Sequence, residues 1–255
     1  MVLVADVIRA AGGRRGRRGR DLTAAPQETT GPYPGDGSNG PNVLIESGIV
    51  RSDIRSSFGP YSGTAEGVPA TFNLTFNDLT KNCAAGQGMA VYVWQCDRVG
   101  EYSLYGQDVS DQNYLRGVQV ADANGAVSFT SIFPAAYARR WPHIHFEVFD
   151  SLEAAVAGEN RLTSQIALPQ QSCESVFAHD PGYINSVRNL SQVTLDSDNV
   201  FGDGWDAELA NVTGDPANGM TISLTIGVAE KSEATQPGGG RSPNGGGRPR
   251  PPPGN

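Results

Sequence analysis

The stretch "YARRWPHIHFEVF", Tyr137 to Phe149, decides how this chain folds. Its second half alternates: Ile144, Phe146 and Val148 are apolar, while His143, His145 and Glu147 are polar. A period of two belongs to a β-strand, whose successive side chains point to opposite faces. One face of this strand enters a core, and the other carries two imidazoles and a carboxylate. The chain has 3 histidines in 255 residues, so two of them one residue apart on one face are unlike the rest of the sequence. Residues i and i+2 lie roughly 6–7 Å apart along a strand, so both rings can reach one metal ion. A pair made of one satisfied core histidine and one solvent-facing histidine accounts equally well for the spacing alone.

Outward from this strand the pattern stays β. "ATFNLTFND" (70–78) alternates Phe72, Leu74 and Phe76 with Thr71, Asn73 and Thr75. "MAVYVWQCD" (89–97), "GAVSFTSIF" (125–133), "SQIALP" (164–169) and "MTISLTIGVAE" (220–230) are rich in β-branched and aromatic residues, with Asn124-Gly125 marking a turn. "SLEAAVAG" (151–158) alone has a helical period. Short strands joined by Gly, Pro, Asn and Asp predict an all-β, antiparallel β-sandwich in a single domain spanning 27–228. Residues 1–26 read as a disordered basic arm, and 229–255, ending "GGGRPRPPPGN", as a disordered Gly/Pro-rich tail.

The net charge of −8 conceals an asymmetry, because both ends are basic and residues 21–230 are strongly acidic. An acidic body repels a phosphate backbone, so no nucleic-acid partner is expected for it. No apolar run reaches the roughly 18 residues of a membrane span, so no membrane partner is expected either. "MVLVADVI" is interrupted by Asp6 and followed, rather than preceded, by arginines. That is not a convincing secretory signal, which leaves the cytoplasm, or secretion from a different start. Cys83, Cys96 and Cys173 allow at most one disulfide and form no zinc-binding cluster.

If His143 and His145 hold a metal, further ligands are needed. Glu147 shares their face and would complete a ferrous two-histidine, one-carboxylate site. Against it, His143 to Glu147 spans about 13 Å of extended chain, too far for three side chains to converge easily. His179, in "FAHDPGY", reads as a loop residue. The tyrosines are the other candidates, and their order along the chain is specific. "WQCDRVGEYS" (94–103) is followed by "LRGVQVADANG" (115–125), then by "PAAY" (134–137) and "RWPHIH" (140–145). Taken together with "ETTGPYPGDG" (28–37), "VRSDIRSSFG" (50–59) and "TSQIALP" (163–169), this order resembles the intradiol ring-cleavage dioxygenases, the protocatechuate 3,4-dioxygenase and catechol 1,2-dioxygenase superfamily. The resemblance covers roughly residues 27–205.

The resemblance implies a non-haem Fe(III) cofactor held by Tyr102, Tyr137, His143 and His145. It implies that Arg140 is the active-site arginine, that Gln165 sits beside the bound substrate, and that Tyr137 takes part in catalysis as a ligand the substrate displaces. It implies a small aromatic diol and O2 as partners, with the ring opened between the two hydroxyl-bearing carbons to a muconate-type diacid. Tyr33 falls in the family's cleft loop, and Arg139 or Arg55 would be the cation available to a carboxylated catechol. The chain departs from the family's Pro-Gly-x-Tyr, with Ala135 at the glycine position. A zinc or ferrous oxygenase built on the histidine pair, and a non-enzymatic β-sandwich that binds a partner through its acidic face, are the competing readings. Oligomeric state is not legible.

Overall fold

The computed structural model describes residues 22–231. Two β-sheets face one another across a core of large apolar side chains. The first sheet holds β1 (Pro69–Asp78), β2 (Ala84–Ala85), β5 (Ala126–Ile132), β8 (Asn211–Asp215) and β9 (Gly219–Val228). The second runs in the order β4 (Arg116–Val120), β3 (Ala90–Trp94), β6 (His143–Phe149) and β7 (Asn160–Ala167). The expected sandwich is borne out. Phe72, Leu74 and Phe76 of β1 are fully buried while Asn73 faces outward. Phe146 of β6 meets Phe76 edge-on across the sandwich, with ring centroids 6.0 Å apart.

One strand pair differs from the all-antiparallel expectation: β1 and β9 run parallel, from Ala70 opposite Met220 to Asp78 opposite Val228. A parallel pair needs a long crossover, and here the entire second sheet lies between the two strands in sequence. Period-two patterning fixes which face a residue occupies but is silent on the direction of a distant neighbour. At one end of the sandwich Arg161 of β7 pairs with Asp78 of β1 at 2.6 Å and donates to the Ala229 carbonyl at 3.0 Å, tying the sheets together.

Three α-helices among the described residues decorate the sheets. α1 (Leu152–Ala157) is the helix expected from sequence, capped by the Ser151 side chain and ended by Gly158. α2 (Gln170–His179) and α3 (Ser186–Leu190) were not expected. Each is short and buries few side chains, Cys173, Val176 and Phe177 in α2 and Ser186 and Leu190 in α3, too few for a sustained period. His179 is therefore the last residue of a helix rather than a loop residue. All three cysteines are free. No helix among the described residues is long and apolar enough to cross a membrane.

The chain already follows the sheet at Ala24, which bridges to Gly227 beside β9, and Ala25 is buried there. The end of the segment expected as an arm thus packs on the first sheet. Its remainder, 1–21, and the tail beyond 231 lie outside the described residues.

Candidate metal centre

The outer face of the second sheet carries the site. Strand register sets Arg116, Trp94, His145 and Gln165 in one row across all four strands. Directly opposite residues share a face, so this row is a single polar and aromatic band. Trp94 stacks flat on the His145 ring, with centroids 4.8 Å apart and planes 6° from parallel. His143 and His145 are both 2% exposed, because loops cover a face that is solvated in many antiparallel sheets.

The first covering loop runs from β3 to Tyr102. Asp97 shapes it: its Oδ1 accepts the backbone N–H groups of Val99, Gly100 and Glu101, each at 3.0 Å, and its Oδ2 accepts the Tyr114 hydroxyl at 3.2 Å. Gly100 has φ of 94°, and a Cβ there would stand 3.1 Å from Tyr137 Cβ. The glycine therefore permits both the left-handed turn and the close approach of the second tyrosine. The Tyr137 loop is held from below by α3, where Ser186 Oγ accepts from Ala136 N at 3.1 Å and Asn189 Nδ2 donates to Ala136 O at 2.8 Å. Ala135 is not among the residues with positive φ, so alanine in place of the family's glycine costs no backbone strain there.

The four candidate ligands converge. His143 Nε2 lies 3.1 Å from His145 Nε2, 3.2 Å from the Tyr137 hydroxyl and 3.5 Å from the Tyr102 hydroxyl. His143 Nδ1 is 2.5 Å from the Trp141 carbonyl, which fixes the proton on that nitrogen and leaves Nε2 as a bare lone pair. Burial, then the nearby Arg140 charge, pushes His143 down to about 3, and burial followed by His143 pushes His145 well down. Both imidazoles are therefore neutral. Burial pushes Tyr137 up to about 12 and Tyr102 well above its ordinary value. The His143 Nε2 lone pair can accept one good hydrogen bond, yet two phenol oxygens and a second imidazole nitrogen crowd it at 3.1–3.5 Å, an arrangement that a shared cation satisfies more fully. Donor atoms bound about 2.1 Å from a shared ion at angles near 90–110° would stand roughly 3.0–3.4 Å apart, which the two shorter separations match. The donor set thus fits a metal ion.

Glu147 does not join this group. Its Oε1 accepts from Asn160 Nδ2 at 2.8 Å and Thr163 Oγ1 at 2.9 Å, one row away from His145. Among the described residues no cluster of three His, Cys, Asp or Glu side chains is placed to hold a metal. His179 lines a separate cleft with Pro69 and Pro216.

The tyrosines open onto a cavity of about 560 Å³, lined also by Thr29, Tyr33, Arg140 and Asn199. Tyr33 leans on Tyr102, centroids 5.2 Å apart, and is 40% exposed at the mouth. Gly31 approaches His145 so closely that a Cβ would stand 3.3 Å from Cε1, and its φ of 68° suits glycine. Arg116 fastens this loop to the tyrosine loop. Its guanidinium donates to Pro34 O, Tyr33 O, Tyr92 Oη, and both Ser103 Oγ and Ser103 O, at 2.7–3.0 Å.

Arg140 Nε pairs with Asp198 Oδ2 at 2.9 Å, and Arg140 Nη2 donates to Gln165 Oε1 at 2.7 Å. Gln165 Nε2 in turn donates to Thr29 O at 3.0 Å. Asp198 was not singled out from the sequence. It also accepts from Trp141 N at 2.7 Å through Oδ2, and from Val200 N and Phe201 N through Oδ1. Burial alone would raise its pKa, but the Arg140 contacts and backbone N–H groups win and hold it low. It lies 58 residues from Arg140 in sequence, and no motif marks it.

Residues 60–173 match the family model for Dioxygenase, a span that includes Tyr102, Tyr137, Arg140, His143, His145 and Gln165. No curated protein sequence matches the chain. Among solved structures, the intradiol ring-cleavage dioxygenase from Tetranychus urticae superposes with a TM-score of 0.61 at 23% identity, over 81% of this chain and 94% of that one. The dioxygenase Tetur07g02040 gives a TM-score of 0.63 at 23% identity, over 82% and 95%. The resemblance read from the sequence motifs is borne out over the matched segment: residues 60–173 match the Dioxygenase model, and the chain's fold is similar to that of these solved dioxygenases.

Proposed function

We propose that this chain is a non-haem Fe(III) dioxygenase that opens catechol-type rings between the two hydroxyl-bearing carbons. The observation that carries the reading is the convergence of two phenols and two neutral imidazoles at 3.1–3.5 Å beside an aromatic-lined cavity. In this reading Tyr102, Tyr137, His143 and His145 hold the metal. A ferric ion bound there supplies Lewis acidity toward the diol oxygens and lets buried phenols ionise that otherwise stay protonated. Hard anionic oxygen donors suit a trivalent ion, which favours this reading over a zinc or ferrous site on the histidines alone.

The chain's own residues then divide the work. Tyr102 is enclosed between Tyr33 and His145 and acts as the fixed ligand. Tyr137 is only half-buried and lines the cavity. Its phenolate oxygen is the acceptor for a proton from an incoming diol hydroxyl. Arg140 Nη1 has no partner among the described residues and is free to face negative charge developing on the ring. An immobilised cation in a dry pocket stabilises such charge most effectively. Gln165, bonded to both Arg140 and the Thr29 carbonyl, orients the arginine and fixes the covering loop. The reaction is balanced: one carbon–carbon bond breaks, both atoms of O2 enter the product, and a diol becomes a diacid.

The test is oxygen uptake by iron-loaded protein with catechols, with the product identified. Stoichiometric O2 consumption and a muconate-type product are expected. Cleavage adjacent to, rather than between, the hydroxyl-bearing carbons, or no O2 uptake by metal-replete protein, would overturn the reading.

A further inference from the structure

The charges around the cavity bear on which catechols it takes, an inference that rests on the cavity being the diol site. Arg140 is the one cation among the described residues that line it. That charge is already matched, because Asp198, fully buried, sits 2.9 Å from Arg140 Nε. Further acid groups stand close behind. Glu28 adjoins the lining residue Thr29 and is itself buried. It is pushed up to about 7 by burial first and then by Asp203, with Arg140 and Asp198 also in electrostatic range. Glu208 is buried within range of Glu28 and Asp203. Neither arginine expected to receive a substrate carboxylate lines the cavity. Arg55 pairs with Asp53 and lines a different cleft, and Arg139 is exposed and is not a lining residue.

We propose that this site takes catechols without an anionic substituent. A carboxylate on the ring would lose water on entering and find only Arg140, whose charge is already shared with Asp198 and is needed by the reacting ring. An uncharged diol meets none of these costs. Its ring would lie in the cavity that Tyr33, Tyr102 and Tyr137 line, with its hydroxyls toward the candidate ligands.

The experiment compares catechol and 4-methylcatechol with 3,4-dihydroxybenzoate on the full-length, iron-loaded protein. It measures kcat/KM by oxygen uptake and Kd by anaerobic calorimetric titration. The uncharged diols are expected to be favoured by roughly tenfold or more in both, since each factor of ten needs only about 1.4 kcal/mol. Asn199 is exposed at the cavity wall, so Asn199→Lys supplies a further cation and should shift the kcat/KM ratio several-fold toward the carboxylated diol. Equal or better use of 3,4-dihydroxybenzoate by the wild-type protein, or no change in the ratio with Asn199→Lys, overturns the inference and leaves the intradiol reading intact. Binding without turnover of any diol overturns the intradiol reading, and the Kd ratio still decides substrate charge. Binding of no diol overturns both.

Discussion

Replacing Asp198 with asparagine probes the link between the arginine and the fold. The carboxylate accepts four hydrogen bonds, from Arg140 Nε, Trp141 N, Val200 N and Phe201 N. Asparagine keeps one accepting oxygen and turns the other position into a donor. Whichever way the amide is turned, an –NH2 group faces two N–H groups at a site that is 0% exposed. Breaking a buried ion pair from one side costs about 3–5 kcal/mol, because the remaining charge is left uncompensated. For a domain of this size that lowers Tm by on the order of 10 °C. Because the same carboxylate holds both Arg140 and the Trp141 backbone beside His143, kcat should fall by about 10- to 100-fold, the scale of a small misplacement of a positioned group. Denaturant titration at pH 7 and steady-state oxygen uptake measure the two effects. A stability loss under about 1 kcal/mol together with unchanged kcat would refute the assignment of Asp198 as the residue that positions Arg140.

Gly100→Ala forces a side chain onto a φ of 94° and against Tyr137 Cβ at 3.1 Å; it should cost about 1–2 kcal/mol and displace Tyr137, read as a weakened visible band with iron retained. Arg116→Lys leaves at most three of five hydrogen bonds that join the Tyr33 and Ser103 loops; it should raise KM for the diol several-fold, and faster proteolysis near Tyr33 would report the loosened loop, whereas unchanged KM and cleavage would refute the role. Burial raises Glu208 from 4.5 to about 8, and raises Glu147 and Glu28 to about 7. A raised carboxyl pKa contributes stability that is fully present below the unfolded value and lost as pH rises through the folded one. The protein should therefore be less stable at pH 8.5 than at pH 5.5, and Glu208→Gln should remove on the order of 3 kcal/mol of that difference. A flat profile, or a slope unchanged by Glu208→Gln, would contradict this.

Much of the architecture was legible because period-two alternation is a local property. Phe72, Leu74 and Phe76, and Ile144, Phe146 and Val148, all point inward as the pattern demands. The histidine pair was legible for the same reason, and the tyrosines only through the order of motifs around them. What escaped was set by contacts remote in sequence. The parallel β1–β9 pair joins segments separated by the whole second sheet. α2 and α3 are short helices fixed by what they pack against, with α3 serving as the support under Tyr137. Asp198 carries no motif, yet four hydrogen bonds make it the hub behind Arg140. Gln165 shares a row with His145, which strand register reveals and sequence spacing does not.

The most direct test of the account is the iron content and visible spectrum of the purified protein beside its Tyr102→Phe and Tyr137→Phe variants. Tyrosinate bound to ferric iron gives a reddish charge-transfer band, so the wild-type protein should carry stoichiometric iron and that colour, and each variant should lose or shift the band. A colourless iron-loaded protein, or two variants that keep both iron and band unchanged, would contradict it.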